Sequence, residues 1–395
     1  IKISALHPRY EMRKIHDLES ILIPKLLELI QYAKSKDVEI TIDAEEQDRL
    51  SLSLHIIEIL AYNKIIKDWP GFGIALQAYG KRSLEVIHWL NSMLEKREKM
   101  HLRLVKGAYW DYEIKHAQVN GYQGYPVFSK KSLTDISFLS CAKQLLQNKK
   151  IYPKFATHNA HTISSISFLA KDSDYEFQRL YGMGELLYKS AFEVLNLDKK
   201  PSIYAPIGNY KDLLPYLVRR LLENGANSSF INRLLDPETD SKWLAENPLI
   251  RLKKETKEIP LPKDIFNKRK NSSGYDLSED DDLKKLKSGL AKFENSLVDA
   301  KSIYVGRLES STSSRKAISV ANNKLIGSVT FDDPTNIENA LTNKSELKWN
   351  NFSVDERSKV LQDIANHIEK EPNQLIFYLI NEAGKTIQNA IDEIR

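Results

Sequence analysis

The stretch RLVKGAYWD, residues 103–111, shows how a strand ends in the first half of this chain. Its leucine and valine favour a buried β-strand, whereas Arg103 and Lys106 place cations close to the end of that strand. Gly107 then stops the strand, and a tyrosine, a tryptophan and an aspartate follow it. Such an ending is typical either of a frayed edge strand or of the mouth of a binding site.

Units of a strand followed by a helix recur through the first 230 residues. Their mostly apolar strands favour a parallel sheet, and seven such units without a reversing connection predict an α/β fold, a (β/α)8 TIM-like barrel with one strand missing. A doubly wound open sheet is the structural alternative. The predicted strands are Lys2–Leu6, Glu39–Ala44, Gly73–Ala78, His101–Val105, Lys154–Thr157, Tyr175–Leu180 and Ser202–Pro206, and helices are predicted at Leu18–Ala33, Asp48–Leu60, Ser83–Leu94, Ser132–Leu146 and Thr162–Ala170.

Polar and aromatic residues follow each predicted strand, where a barrel would carry its functional groups. Loops are polar in any protein, so this clustering favours a site without proving one. The groups are His7 and Arg9, Asp43–Glu46, Gln77 and Tyr79, Lys106–Asp111, Thr157–Asn159, Tyr181–Glu185, and Tyr204–Gly208.

Size, charge and cysteine content narrow the class of protein. A chain of 395 residues is long enough for two domains, and its net charge of +5 is spread out, so we expect no nucleic-acid partner. The single cysteine, Cys141, allows neither an intrachain disulfide nor a multi-cysteine zinc site and fits a reducing compartment. No apolar run is long enough to span a bilayer. The chain opens at Ile1 without an initiator methionine, so we expect it to be an excerpt of a longer protein.

The amino-acid composition of the sequence changes near Ala245. A charged and then Ser/Gly-rich stretch predicts a linker, after which helical and β-rich patterns return. We therefore divide the chain into a barrel over residues 1–240, a connecting segment over 241–300, and a further region over 301–395. The later elements are predicted at Lys316–Phe331 (β-rich) and at Asn336–Leu341, Ser353–Glu369 and Pro372–Glu382 (helical).

The stretch LLPYLVRRLLENG, residues 213–225, has helical spacing with leucines on one side. Tyr216, Arg219, Arg220 and Glu223 share the opposite face. The simpler interpretation is a solvated face with Arg219 and Glu223 as an exposed ion pair. The functional interpretation is that the two adjacent guanidinium groups bind one carboxylate.

Several other kinds of site lack support in the sequence. His158 follows a predicted strand, but no second histidine lies at metal-ligand spacing, so we expect no metal site. Neither a serine-hydrolase elbow, nor a dinucleotide loop, nor a phosphate-binding Walker loop is present.

Taken together, the motifs over about the first 235 residues resemble the flavin-dependent proline dehydrogenase domain of the bifunctional proline utilisation A family. The later part, from about Leu325, is similar to the opening of an aldehyde dehydrogenase domain. The motifs that carry the first resemblance are SALHPRY (4–10), IDAEEQDRL (42–50), RLVKGAYWD (103–111), FATHNAHT (155–162), EFQRLYGMGE (176–185), IYAPIG (203–208) and YLVRRLLENGANSSF (216–230).

The resemblance implies that the chain oxidises L-proline to 1-pyrroline-5-carboxylate by hydride transfer to FAD. Arg103, Tyr109 and Asp43 would then be catalytic. The substrate would contact Lys2, Leu180, Tyr204, Tyr216, Arg219 and Arg220, and the FAD site would comprise Gln77, Arg103, Val105, Lys106, Gly107, Ala108, Trp110, Thr157, His158, Asn159 and Glu223.

The resemblance also implies partners and limits. Electrons would pass to a membrane quinone, with the protein in the cytoplasm at the inner face of the membrane. The family's first barrel strand precedes SALHPRY, and its aldehyde dehydrogenase cysteine and glutamate have no counterpart here, so NAD would serve only the complete parent protein. Two alternatives stay open: a barrel aldolase or phosphate-sugar enzyme, and a fragment that binds flavin without turnover.

Overall fold

The computed structural model describes residues 1–171, 173–197, 199–225, 242, 245–256, 258–303, 313–342 and 348–395, except for the side chains of residues 212 and 219–225. The described chain divides into two compact units. The first comprises Ile1–Ala117 and Gly124–Pro260, and the second comprises Gln118–Gln123 and Leu261–Arg395.

The first unit is built on a sheet of six parallel strands in the order β1-β2-β3-β4-β5-β6. Each strand pairs with its sequence neighbour, and Arg103 of β3 lies beside Ala75 of β2 and Lys154 of β4. This is the α/β architecture of a TIM-like barrel, as the sequence predicts. The strands are β1 (Ile40–Ile42), β2 (Phe72–Gln77), β3 (Met100–Val105), β4 (Ile151–Ala156), β5 (Glu176–Leu180) and β6 (Ser202–Tyr204).

Helices follow the strands and cover the sheet with apolar faces. In α1, leucine and isoleucine at four-residue spacing (Leu18, Leu22, Leu26 and Ile30) are fully buried, because that spacing puts them on one face. The helices of this unit are α1 (Ile15–Ser35), α2 (Leu50–Ala61), α3 (Ser83–Met93), α4 (Trp110–Val119), α5 (Lys131–Gln147), α6 (Ala160–Ala170), α7 (Glu185–Leu195), α8 (Tyr210–Gly225) and α9 (Pro248–Lys254).

The strand predicted at Lys2–Leu6 is wrong, because residues Ile3–Leu6 form a 3₁₀ helix. The backbone N–H and the hydroxyl of Ser4 both donate to the carboxylate of Glu45, and the N–H of Ala5 turns back to the carbonyl of Lys2. These donors are therefore directed to a side chain and to a turn, and not to a neighbouring strand.

A buried arginine, Arg97, fixes the chain that leads into β2. Its guanidinium group donates to the carbonyl oxygens of Ala61 (3.1 Å), Ile66 (3.0 Å) and Trp69 (2.8 Å). It also lies 5.2 Å from the ring centroid of Phe72. Burial lowers the pKa of Arg97 to about 10, so it stays protonated at neutral pH and joins the end of α2 to two carbonyl groups of the loop before β2.

The second unit has a three-stranded sheet in the order β7-β9-β8, in which β7 runs parallel and β8 antiparallel to β9. Its core contains Leu277, Leu286 and Ile376. The β-rich and helical patterns predicted after residue 316 are confirmed. The elements are α10 (Asp280–Ala291), β7 (Val298–Lys301), β8 (Ser313–Ile318), β9 (Leu325–Phe331), α11 (Pro334–Thr342), α12 (Val354–Lys370), α13 (Pro372–Asn381) and α14 (Ile387–Ile394).

Within the described ranges of both units, no helix combines the length and the apolar character needed to cross a membrane.

Candidate functional site

The carboxyl end of β3 carries an arginine that meets an aspartate from the end of β1. The Nη2 atom of Arg103 lies 2.5 Å from Oδ1 of Asp43. Asp43 is about half exposed (48%), whereas the Arg103 side chain is 23% exposed. A charge-assisted bond of this kind orients the guanidinium group at the rim of the sheet while leaving part of it accessible.

A second cation, Lys2, is held at the same edge. Its Nζ atom lies 5.9 Å from the ring centroid of Tyr109 and 3.6 Å from the carboxylate of Glu45. Glu45 is buried and also accepts from Ser4 and from Arg49 (2.5 Å). Burial disfavours its charge, but the bonds from Ser4 and Arg49 outweigh this and hold the pKa of Glu45 below its ordinary value. Glu45 is therefore a fixed anion that positions Lys2.

A buried glutamine, Gln77, joins the loop after β1 to the turn after β3. Its Nε2 atom donates to the carbonyl of Glu45 (2.7 Å), and its Oε1 atom accepts from the N–H of Ala108 (3.1 Å). Both bonds go to backbone groups, so this side chain sets the spacing of two strand ends.

The turn after β3 requires a glycine at position 107. Gly107 has φ +141°, which side-chain-bearing residues rarely adopt, and a Cβ atom there would lie 2.4 Å from the Tyr79 ring. The N–H of Tyr79 donates to the carbonyl of Lys106 (2.7 Å), and Trp110 donates to the carbonyl of Phe128 (2.8 Å). The strand that carries RLVKG therefore ends in a turn, and Gly107 of that turn packs against the ring of Tyr79.

Beneath this turn lies a buried carboxyl group, Glu113 of α4. It accepts from the N–H of Gln47 (2.8 Å) and from the hydroxyl of Tyr79 (3.3 Å). Burial, reinforced by the charges of Asp48 and Glu46, raises the pKa of Glu113 to about 7 despite those two bonds. A carboxyl group with this pKa is largely protonated below neutral pH.

Lys106, the second cation of RLVKG, is bonded to a buried aspartate. Its Nζ atom donates to Oδ1 of Asp135 in α5, and the other oxygen of Asp135 lies 3.9 Å from Nη1 of Arg251 in α9. His161 faces the same cluster, and burial together with the charges of Arg251 and Lys106 lowers its pKa. The three charges of this cluster, two positive and one negative, leave one net positive charge.

The ends of β4 and β5 are joined through His158. Its Nε2 atom accepts the N–H of Leu180 (3.2 Å), so this ring nitrogen carries no proton. Asn159 begins α6 as its N-cap and accepts the N–H of Thr162 (2.9 Å). The carbonyl of Thr157 accepts from the hydroxyl of Tyr188 (2.9 Å). Each residue of this motif therefore has a defined structural contact.

The structure places the remaining predicted residues as follows. Val105 and Ala108 flank Lys106 and Gly107, Leu180 ends β5 in a buried position, and the carbonyl of Tyr204 at the end of β6 accepts the N–H of Tyr181 (2.8 Å). Tyr216 is half-buried in α8. The backbones of Arg219, Arg220 and Glu223 continue α8, but their side chains lie outside the described part of the chain.

Sequence reasoning missed four charged residues that hold the predicted ones. Glu45 is one of several polar residues after β1, and the sequence alone assigns no role to it or to Glu113, Asp135 and Arg251. The local pattern gives no signal for the two helical carboxylates, because Glu113 has charged neighbours in its helix and Asp135 is one of several polar residues in α5. Among the described residues, no group of three potential metal ligands comes together.

Comparison with known proteins gives two family matches. The sequence model of the family described as proline dehydrogenase matches residues 2–233, and that of the aldehyde dehydrogenase family matches residues 308–395. The bifunctional protein PutA of Escherichia coli K12 is 40% identical over 422 residues, which cover all of this chain and 32% of that protein. Proline dehydrogenase 1 of Bacillus subtilis is 30% identical over 219 residues, which cover 54% of this chain and 63% of that protein.

A solved structure of proline utilisation A with proline bound in remote sites has the same fold over the whole chain. The TM-score is 0.85 at 36% sequence identity, and the match covers 100% of this chain and 38% of that one. The chain thus spans about a third of the length of the bifunctional relatives that it matches.

Proposed function

Because this chain belongs to the proline dehydrogenase family, we propose that it oxidises L-proline to 1-pyrroline-5-carboxylate with FAD as the hydride acceptor. One observation carries the proposal: the ends of β1 and β3 and the N-terminal segment bring Asp43, Arg103, Tyr109 and Lys2 to one edge of the barrel sheet, where ion pairs and a cation–π contact hold them. These are the residue types needed to hold an amino acid and to face an aromatic cofactor.

The side chains present fit a flavin. Gly107 keeps the turn after β3 free of a side chain, and the ammonium group of Lys106 has two further N–H donors beyond the one directed to Asp135. When bound, FAD supplies the two-electron acceptor. The residues proposed to hold it are Gln77, Arg103, Val105, Lys106, Gly107, Ala108, Trp110, Thr157, His158, Asn159 and Glu223.

We propose that the substrate is held by charge at one end and by apolar walls at the other. Lys2, Arg219 and Arg220 bind the proline carboxylate, since paired guanidinium groups suit a planar anion. Tyr109, Leu180, Tyr204 and Tyr216 contact the ring. Asp43 fixes Arg103, whose cation stabilises the negative charge that develops on the cofactor side of the site.

The test is flavin absorbance. The purified chain reconstituted with FAD should be yellow, and anaerobic L-proline should bleach the oxidised-flavin band while D-proline should not. A colourless protein that binds no FAD would favour the aldolase alternative. A yellow protein that L-proline leaves unbleached would favour a flavin-binding fragment without turnover.

A matched pair of variants tests the site itself. Asp43→Asn removes the carboxylate that orients Arg103, and we expect the rate of bleaching to fall by roughly ten- to a hundredfold, since a charge-assisted hydrogen bond contributes roughly 1.5–3 kcal/mol. Asp37→Asn removes an equal charge from an exposed position after α1 and should leave the rate unchanged. Equal rates in both variants would contradict the assigned role of Asp43.

For the region that matches the aldehyde dehydrogenase family, we propose no aldehyde oxidation by this chain. Its one cysteine, Cys141, is buried in α5, and burial raises the pKa of its thiol to about 11, so it supplies no thiolate nucleophile at neutral pH. We propose that NAD is used only where the rest of an aldehyde dehydrogenase domain is also present. NADH formation from glutamate semialdehyde by this chain would contradict the proposal.

We further propose that the electrons leave the flavin to a membrane quinone, with the chain acting in the cytoplasm at the inner face of the membrane. The support is the family resemblance alone. Proline-dependent reduction of a short-chain ubiquinone analogue would agree with it, and flotation with anionic lipid vesicles would report the membrane contact. A reduced flavin that the quinone fails to reoxidise would contradict it.

A further inference from the structure

The segment that follows the barrel packs on it in a way that neither family match covers. Residues 246–256 and 258–260, termed here the return segment, lie outside the matched ranges 2–233 and 308–395. They nevertheless belong to the first compact unit, and their helix, α9, packs against α5. The composition of residues 241–300 predicts a linker in this region.

The return segment is tied to the start of α5 and to the loop before it. The hydroxyl of Tyr125 donates to the carbonyl of Pro260 (2.7 Å). Lys130 donates to the carbonyl of Glu255 (3.3 Å) and to the carboxylate of Glu258 (3.0 Å). The hydroxyl of Ser132 donates to the Glu255 carboxylate. Four bonds over so short a stretch indicate a defined docking position, since a solvated linker would direct these groups to water.

Through Arg251, the return segment also contacts the carboxylate that binds Lys106. Arg251, whose side chain is only 14% exposed, approaches one oxygen of Asp135, and Lys106 donates to the other. Asp135 is itself buried, at 5% exposure. A buried carboxylate with one cation on each oxygen has little freedom to rotate, and the two cations compensate its desolvation.

We propose that the return segment completes the cofactor site, with Arg251 and Asp135 as positioning residues for Lys106. Asp135 holds the ammonium group at the turn after β3, and Arg251 offsets the charge of Asp135, so the cluster keeps one net positive charge for an anionic ligand such as the diphosphate of FAD. This inference rests on the proposed function, because Lys106 is assigned to the FAD site there.

The net charge of the cluster distinguishes a role of Arg251 in cofactor binding from a role in packing alone. With Arg251 present, the cluster of Arg251, Asp135 and Lys106 sums to +1, and without Arg251 it sums to zero. If Arg251 only packs α9 against α5, its loss lowers the stability of the protein with and without cofactor alike. If it acts on Lys106 through Asp135, its loss weakens cofactor binding in addition.

The experiment uses the full chain freed of flavin and titrated with FAD. Arg251→Met, which lowers the net charge of the cluster to zero, should raise the FAD dissociation constant, read from the quenching of flavin fluorescence, by roughly tenfold. Asp135→Asn raises the net charge to +2 but releases Lys106, so a similar rise in that variant shows that the position of Lys106 matters more than the charge of the cluster. Both variants should also reduce the rise in melting temperature that FAD produces. The matched control is Lys253→Met, which removes a charge from an exposed position in the same helix and should change neither quantity.

Two further variants keep the test decisive. Arg251→Lys retains the charge and should recover most of the affinity, even where Arg251→Met folds poorly. In the double variant, adding Arg251→Met to Asp135→Asn should cause little further loss of FAD affinity, because Arg251 acts on Lys106 through Asp135. Additive losses of affinity, or a lowered melting temperature with an unchanged FAD-induced rise, would overturn the inference and leave the proposed function standing. A parent chain that binds no FAD would overturn both.

Discussion

Replacing Glu113 by glutamine tests whether the buried carboxyl group beneath the turn after β3 carries a proton near neutral pH. Burial, with Asp48 and Glu46 close by, raises the pKa of Glu113 from 4.5 to about 7, and the bonds from Gln47 and Tyr79 do not cancel this. An acid whose pKa is raised by folding stabilises the folded chain fully below pH 4.5. That contribution is lost as the pH rises through 7.

The size of the effect follows from the pKa difference. Each pKa unit corresponds to about 1.4 kcal/mol, so the parent chain should lose about 3 kcal/mol of its free energy of unfolding through this group between pH 4.5 and pH 8. Glutamine has the shape of the protonated acid and keeps an acceptor for Gln47 and Tyr79. Glu113→Gln should therefore be more stable than the parent by about 1 kcal/mol at pH 5 and by about 3 kcal/mol at pH 8.

The assay is urea unfolding of the parent and the variant at both pH values. Asp111→Asn is the matched control, since it removes a carboxylate from an exposed position in the same helix and tests whether loss of any acid from α4 changes the stability in the same way. If the difference between Glu113→Gln and the parent is the same at pH 5 and pH 8, Glu113 is ionised in the folded chain and the argument from burial fails.

Three further outcomes are expected. Arg97→Met should lower the free energy of unfolding by about 3 kcal/mol or more, because three carbonyl groups lose a charged donor, whereas the exposed Lys99→Met should have little effect in the same urea titration. Gly107→Ala should strain the turn by roughly 1–3 kcal/mol and reduce FAD retention on gel filtration, whereas Gly124→Ala, where a Cβ atom meets nothing within 4 Å, should retain FAD. Asn159→Ala should lower the melting temperature through the loss of about 1 kcal/mol of N-cap stabilisation, and Asn159→Asp should restore it; equal melting temperatures for all three chains would contradict the cap.

The elements that could be predicted from the sequence are those whose pattern is set by burial. The apolar runs of β2 and β3 and the four-residue spacing in α1 follow directly from which faces meet the core. The segment Ile3–Leu6 has a similar apolar content, but its conformation depends on Glu45, some 40 residues away, which no local pattern reveals. Helix α4 is not predicted from the sequence because its buried face includes the carboxyl group of Glu113, which interrupts the apolar pattern that marks a helix.

In the candidate site, too, some residues could be predicted from the sequence and others could not. Arg103, Lys106 and Gly107 stand out because cations and a glycine at a strand end are unusual in a core. Their partners do not stand out, because Asp135 looks like an ordinary polar residue of a helix and Arg251 lies in a stretch with the composition of a linker. Pairings of that kind are set by three-dimensional packing, which only the structure supplies.

The pairing order of the two sheets has a bearing on how the chain folds as it is synthesised. In the first sheet every strand pairs with its sequence neighbours, so each newly made strand meets a partner that is already in place. Pairing between sequence neighbours keeps the separation of contacts as low as a parallel sheet with helical connections allows, and a lower separation favours faster folding with less time for unpaired edges to aggregate. The second sheet is different: β7 and β8 both pair with β9, so neither strand can dock until the ribosome has released Leu325–Phe331.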